Sequence, residues 1–141
     1  MKAYTVTGNT GMMGKCRQAV YNKYQGRCAY SGTDLEDNWQ IDHVVPRVKG
    51  GTSEIENLLP AQGIINHYKG ALDLETFRTW LLGGLHIRLG KLPKNPRTEQ
   101  SFKKNAYLRK VAGLFGIDEQ HPFTGKFYFE ENDMMGKKEE V

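Results

Sequence analysis

The stretch CAYSGTDLEDNWQIDHVVPRVKGGTSEIENLLPAQGIINHYKG, residues 28–70, decides the fold. Trp39 to Val45 is rich in β-forming residues and closes at Pro46, which predicts a strand. A glycine-containing loop, Arg47 to Glu56, leads to the apolar pair Leu58–Leu59, long enough for a minimal second strand. Residues 61–69 follow as a short helix, ended by Gly70 in the position past a helix C-terminus that glycine favours. Two strands and a helix are thus packed into one short run of chain.

On the N-terminal side, Met13 to Tyr24 reads as a helix, with Cys16, Ala19, Val20 and Tyr24 at helical spacing. The preceding TGNTGMMGK, residues 7–15, invites comparison with a phosphate-binding loop but fails it. Five residues separate Gly8 from Gly14 where four are needed, and Cys16 replaces the Ser/Thr that would hold magnesium. A flexible lead-in is the expectation there. On the C-terminal side, Asp73 is placed to cap a helix carrying Leu74, Phe77, Leu81 and Leu85, which Gly83 and Gly84 weaken or split. LPKNPR breaks the chain, and Thr98 caps a last helix with Leu108, Val111, Ala112 and Phe115 on one face. The Phe127–Phe129 run predicts a final strand within 126–130, and residues 131–141 a flexible tail.

The 141 residues suit one domain, residues 1–130, with a core module at 26–70 and a helical extension at 73–116. With 26% charged and 38% hydrophobic residues, collagen-like, membrane-spanning and low-complexity classes are excluded. Two cysteines, the lack of a secretory signal and the lack of a long apolar run lead us to expect a cytoplasmic protein with no membrane partner. The net charge of +4 is uneven: residues 1–83 carry +1, residues 84–116 carry +7 and residues 117–141 carry −4. A basic block of this kind is what a polyanion partner requires, since neutralised phosphates release condensed counterions. A solvated helix face explains it equally well. Lys103, Tyr107 and Lys110, two cations around an aromatic on one face of the last helix, are candidate nucleic-acid contacts.

Within residues 28–70 the polar residues form an ordered set. Asp42 and His43 end the first strand, with Pro46 three residues on. Asn57 precedes the second strand, Asn66 lies nine residues beyond it, and Lys69 follows one helical turn later. Phosphodiester hydrolysis needs a base for water and stabilisation of charge on the phosphorane and departing oxygens. Histidine is the side chain whose ordinary titration range spans neutrality. Asp42 and Asn66 offer hard oxygen donors, which suit magnesium or manganese better than zinc.

This order and spacing resemble the HNH endonuclease family, over about a third of the chain. The resemblance implies an α+β fold, a small ββα-metal module flanked by N- and C-terminal helices. It implies a metal-dependent endonuclease that hydrolyses DNA, most simply double-stranded, and leaves 5′-phosphate and 3′-hydroxyl ends. His43 corresponds to the general base, Asp42 and Asn66 to the ligands of one Mg²⁺ or Mn²⁺, and Asn57 to the residue that ties down the loop and orients the histidine. Arg47, Lys49, Lys69 and His67 are candidate phosphate contacts, with His67 the alternative to Asn66 as second ligand. Adjacent strand residues point to opposite faces, so Asp42 and His43 can share a site only if the strand distorts or ends at His43.

Many members of the family hold a structural zinc with two Cys-x-x-Cys pairs. Here the corresponding positions are Cys28, Ser31, Gln62 and Ile65, which cannot close a tetrahedral zinc site, so no structural zinc is expected. Packing around Trp39 and Tyr30 must hold the hairpin, with both cysteines as semi-buried thiols. The small lone module resembles nucleases of phages and other mobile elements, and without a large recognition domain it is expected to have weak sequence specificity or a partner protein that supplies it. The competing readings are a non-catalytic nucleic-acid-binding module on the same fold, and a structural protein.

Overall fold

The computed structural model describes residues 10–132, with side chains from Cys16 to Asn132. The chain divides into two compact units. One comprises the residues up to Asp73 together with those from Phe127 onward, and the other is Leu74–Lys126. The fold is α+β, as the sequence implies.

The first unit is built on a two-stranded antiparallel sheet, β1 (Gln40–His43) and β2 (Leu58–Ala61). Its register pairs Gln40 with Ala61, Ile41 with Pro60, Asp42 with Leu59 and His43 with Leu58. Every residue of β2 is buried. Pro60 has no N–H to give to a ladder, yet its carbonyl accepts from the Ala29 amide at 2.8 Å, so the segment before β1 covers the outer edge of β2. Helix α1 (Thr10–Lys23) buries Val20 through this face, and Tyr24 follows it into the core. Lys23 donates to the carbonyls of Ile55 (2.9 Å) and Leu58 (2.7 Å), fixing the approach to β2 from outside. Helix α2 (Gly63–Lys69) completes the ββα unit, and Gly70 caps it with a positive φ of 59° and an amide bonded to Asn66.

Trp39 and Tyr30 do hold the hairpin. Trp39 is buried beneath the Arg17 guanidinium, 3.9 Å from its ring centre, and Arg17 also donates to the Trp39 carbonyl. Tyr30 meets Phe127 and Phe129 edge-on. Phe127–Phe129, expected as a strand, leads instead into a short helix, α6 (Tyr128–Glu131). The amides of Tyr128 and Phe129 are spent on the carbonyls of Tyr30 and Ala29, and the Glu130 carboxylate accepts from the Phe127 amide, which turns the chain. Two further expectations change. Thr10 to Lys15 of the presumed lead-in loop belong to α1, while residues 7–9 lie outside the described residues, as do 133–141 of the expected tail. Cys16 is exposed and Cys28 fully buried, where both were expected to be half-buried.

The second unit is helical: α3 (Leu74–Trp80), α4 (His86–Lys91) and α5 (Glu99–Phe115). Gly83 and Gly84 do not split the helix that begins at Leu74. They sit in a widened π-type turn, Leu81–Leu85, that passes directly into α4. Thr98 caps α5 as expected, its hydroxyl accepting from the Ser101 amide. Phe77, Leu81, Leu85, Leu89, Leu108, Val111, Ile117 and Phe123 form the core of this unit. Beyond α5 the Asp118 carboxyl is held below the usual carboxylate range, chiefly by the Gln120 amide and then by the His121 side chain. Among the described residues no helix is long and apolar enough to cross a membrane.

Candidate active site

Asn57 anchors the site. It ends a one-turn 3₁₀ helix, Ile55–Asn57, and its backbone carbonyl accepts from the Val44 amide at 2.9 Å. Its side chain then spans the loop. Oδ1 accepts from the Val45 amide (2.9 Å), while Nδ2 donates to the carbonyls of Val45 (3.2 Å) and Thr52 (2.7 Å). One primary amide therefore uses both donors and its acceptor to fix the chain that leaves β1. Inside the loop, Gly51 comes so close to Val45 that a Cβ there would lie 1.7 Å from the Val45 carbonyl oxygen. Only glycine fits.

His43 is the last residue of β1, where the sequence reading put it, and its Nε2 lies 3.5 Å from the Ser53 hydroxyl across the loop. The ladder itself is not distorted: Asp42 and His43 pair with successive residues of β2, without a bulge. The turn away from the sheet is made after His43, by Pro46 and the Asn57 clamp. In such a ladder Asp42 shares a face with Gln40, and His43 looks to the opposite one.

On the Asp42 face the structure assembles a polar cluster. Asp42 is 7% exposed, and its Oδ2 accepts from the Tyr30 hydroxyl at 2.5 Å. The Lys69 ammonium lies 3.1 Å from the same oxygen, its side chain 1% exposed. Oδ1 has no hydrogen-bond partner among the described residues. Burial first, and then the adjacent Asp42 charge, push the Tyr30 phenol well above its ordinary range, so it stays a proton donor to the carboxylate. One turn before Lys69, Asn66 donates from Nδ2 to the Gln40 side chain at 2.6 Å. Gln40 and Asp42 are two apart on the strand, and Asn66 and Lys69 three apart on α2, so the helix lies along one face of β1.

The other expected contacts divide. Arg47 is exposed on the one-turn helix Arg47–Lys49, and Lys49 pairs with Asp73 at 3.3 Å, both half-exposed. His67 is exposed on α2. Lys69, expected as a phosphate contact, is buried against Asp42, because it lies four residues after Ile65 on the inward stripe of the helix. Lys103 and Lys110 are exposed on α5 of the second unit, Lys103 paired with Glu99. Sequence reasoning missed Tyr30 as a partner of the acid. The 3–4 spacing of Ile65 and Lys69 was the available signal for the burial of Lys69.

Carboxylate and carboxamide oxygens are the donor chemistry that a hard divalent ion takes. Asp42 Oδ1 and the Asn66 side-chain carbonyl are oxygens with no protein donor among the described residues, on neighbouring positions of β1 and α2. No group of three His, Cys, Asp or Glu that could hold a metal occurs among the described residues. At the zinc-knuckle positions the chemistry is different again. The Gln62 amide donates to Cys28 Sγ at 3.4 Å. The buried Gln62 side chain accepts from the Glu36 amide (3.1 Å) and donates to Thr33 Oγ1 (3.0 Å) and the Asp34 carbonyl (2.6 Å).

Residues 26–61 match the HNH endonuclease family model. The matched segment contains Asp42, His43, the loop and Asn57, and ends before Asn66, His67 and Lys69. No curated protein matches the chain. Among solved structures, the Type II-C Cas9 enzyme from Actinomyces naeslundii is similar, with 20% sequence identity and a TM-score of 0.48. The similarity covers 82% of this chain and 12% of that one.

Proposed function

We propose that this protein is a metal-dependent HNH endonuclease that hydrolyses DNA phosphodiester bonds. The observation that carries the reading is the Asn57 clamp, which holds the loop directly behind a histidine at the end of β1. A clamp of this kind fixes the backbone that presents the imidazole, as positioning of a general base demands. The match of residues 26–61 to the family supports it.

In this reading His43 accepts the proton of the attacking water, and Asn57 orients it through the loop. Asp42 and Asn66 hold one Mg²⁺ or Mn²⁺, which when bound supplies positive charge for the phosphorane and for the departing 3′ oxygen. The products carry 5′-phosphate and 3′-hydroxyl ends. Because Asp42 and His43 look to opposite faces, the scissile phosphate must lie across the terminus of β1, between them. Arg47, exposed at the first turn of the loop, serves the flanking phosphate backbone, as His67 does from α2. Lys103 and Lys110 add sequence-independent attraction from the basic second unit.

The undistorted ladder favours a second reading, a nucleic-acid-binding module without turnover. Incubating plasmid with wild-type protein and His43→Ala, in Mg²⁺, Mn²⁺ or EDTA, separates the two. A nuclease cuts only with metal and only with His43, while both proteins bind DNA. Equal cleavage by wild type and variant removes His43 from the mechanism, and salt-sensitive binding without any cleavage establishes the second reading.

A further inference from the structure

A lysine whose side chain is 1% exposed is an unusual neighbour for a metal-binding acid. The Lys69 ammonium lies 3.1 Å from Asp42 Oδ2, within ion-pair range, but it is not aligned for a hydrogen bond. No other acceptor meets it among the described residues. Two observations follow. Among the described residues the only compensation for this buried cation is the carboxylate, and the charge of the carboxylate is already offset before any metal arrives. Tyr30 adds a second donor to the same oxygen, which leaves Oδ1 without a donor among the described residues.

We infer that Lys69 is a built-in counter-cation of Asp42 that weakens metal binding in the absence of DNA and so couples the metal to the arrival of a phosphate. The inference rests on the assignment of Asp42 as a metal ligand. A divalent ion at Oδ1 brings two positive charges close to a fixed one in a region of low dielectric, where like charges repel far more than in water. A phosphate entering the same cluster adds negative charge to both cations and relieves that repulsion. Lys69 acts here through Asp42, as a positioning residue for the ion. Its burial also fixes the sign of the effect, because an exposed ammonium would swing away and be screened.

The test is Mn²⁺ binding to the full chain, read from the electron paramagnetic resonance of free Mn²⁺, so that no turnover is needed. Lys69→Met removes the charge and keeps the aliphatic stem, Lys69→Gln keeps a donor, and Lys69→Arg keeps the charge. All are made in a His43→Ala background, with and without a short DNA duplex. Loss of one buried positive charge should tighten Mn²⁺ binding without DNA by at least about tenfold in Lys69→Met and Lys69→Gln. Lys69→Arg should stay near the parent. Adding the duplex should tighten binding strongly in the parent and much less in the neutral variants. Mn²⁺ should also raise the melting temperature of the neutral variants more than that of the parent, as the ion replaces the lost cation. Equal Mn²⁺ affinity with and without the Lys69 charge overturns the inference alone, if the otherwise unchanged protein still shows metal-dependent cleavage. No Mn²⁺ binding by any of the proteins overturns both the inference and the metal assignment of Asp42.

Discussion

Asn57→Ala is the most direct perturbation of the clamp. It deletes three side-chain hydrogen bonds, at 2.9, 3.2 and 2.7 Å, that tie Val45 and Thr52 together. The Val44 amide to Asn57 carbonyl bond is backbone-only and survives. Each lost bond is worth about 0.5–1.5 kcal/mol net, and the site is open enough for water to satisfy the freed groups. The loop should therefore open more easily by roughly 2–3 kcal/mol, which is a rise of about 30- to 150-fold in its open population. Since the strands and helices keep their contacts, the effect should be local. Amide hydrogen exchange across residues 44–53 should accelerate by about that factor, with little change in β2 or α1. Asn57→Asp should be worse: Oδ1 can still accept from Val45, but the second oxygen faces two carbonyls that need donors. Cleavage should fall with the same ranking, because the loop carries the backbone next to His43. Unchanged exchange at Val45 in Asn57→Ala would refute the reasoning, whatever happened to activity.

Gly51→Ala forces a methyl to 1.7 Å from the Val45 carbonyl oxygen, so the backbone must move; a loss of about 1–3 kcal/mol in urea denaturation is expected, with faster exchange in the same loop. Gln62→Ala leaves the Glu36 amide and the Asp34 carbonyl without their partner and should cost about 2–4 kcal/mol, a decrease visible in the denaturation midpoint. Tyr30 has its folded-state pKa raised, so the phenol ionises first in the unfolded chain. Its contribution to stability is complete below the unfolded value near 10.0 and is lost as pH rises beyond it. The stability of the wild type should fall from about pH 10 upward, and Tyr30→Phe should flatten that limb; an unchanged alkaline limb would remove Tyr30 as its cause.

The ββα order was legible because its signals are local. Pro46 closes a β-rich run, Gly70 ends a helix and Thr98 begins one, and each of those ends lies within a few residues of its expected place. That Asn57 ties down the loop came from the family resemblance, since its place before Leu58 alone suggests only a turn cap; the three side-chain bonds across the loop are in the structure. What the sequence hid depends on contacts between distant segments. The alternating aromatics Phe127 and Phe129 mimic a strand, yet they are spaced to pack about Tyr30, nearly a hundred residues earlier. Lys69 looked like surface charge because lysine usually is, although its four-residue spacing from Ile65 put it on the buried stripe. Of the two routes open at Asp42 and His43, a distorted strand or one that ends at His43, the structure takes the second: the ladder stays regular and Asn57 turns the chain just after it.

The network around Gln62 changes what a chelator can do to this molecule. Where a knuckle is tied by thiolates and an ion, stripping the ion also loosens the hairpin, and lost catalysis is confounded with lost architecture. Here the same corner is knitted by a carboxamide bonded to Thr33, Asp34 and Glu36, with one thiol as a weak acceptor. These contacts need no ion, so chelation should leave this corner standing, which an unchanged melting temperature in EDTA would check.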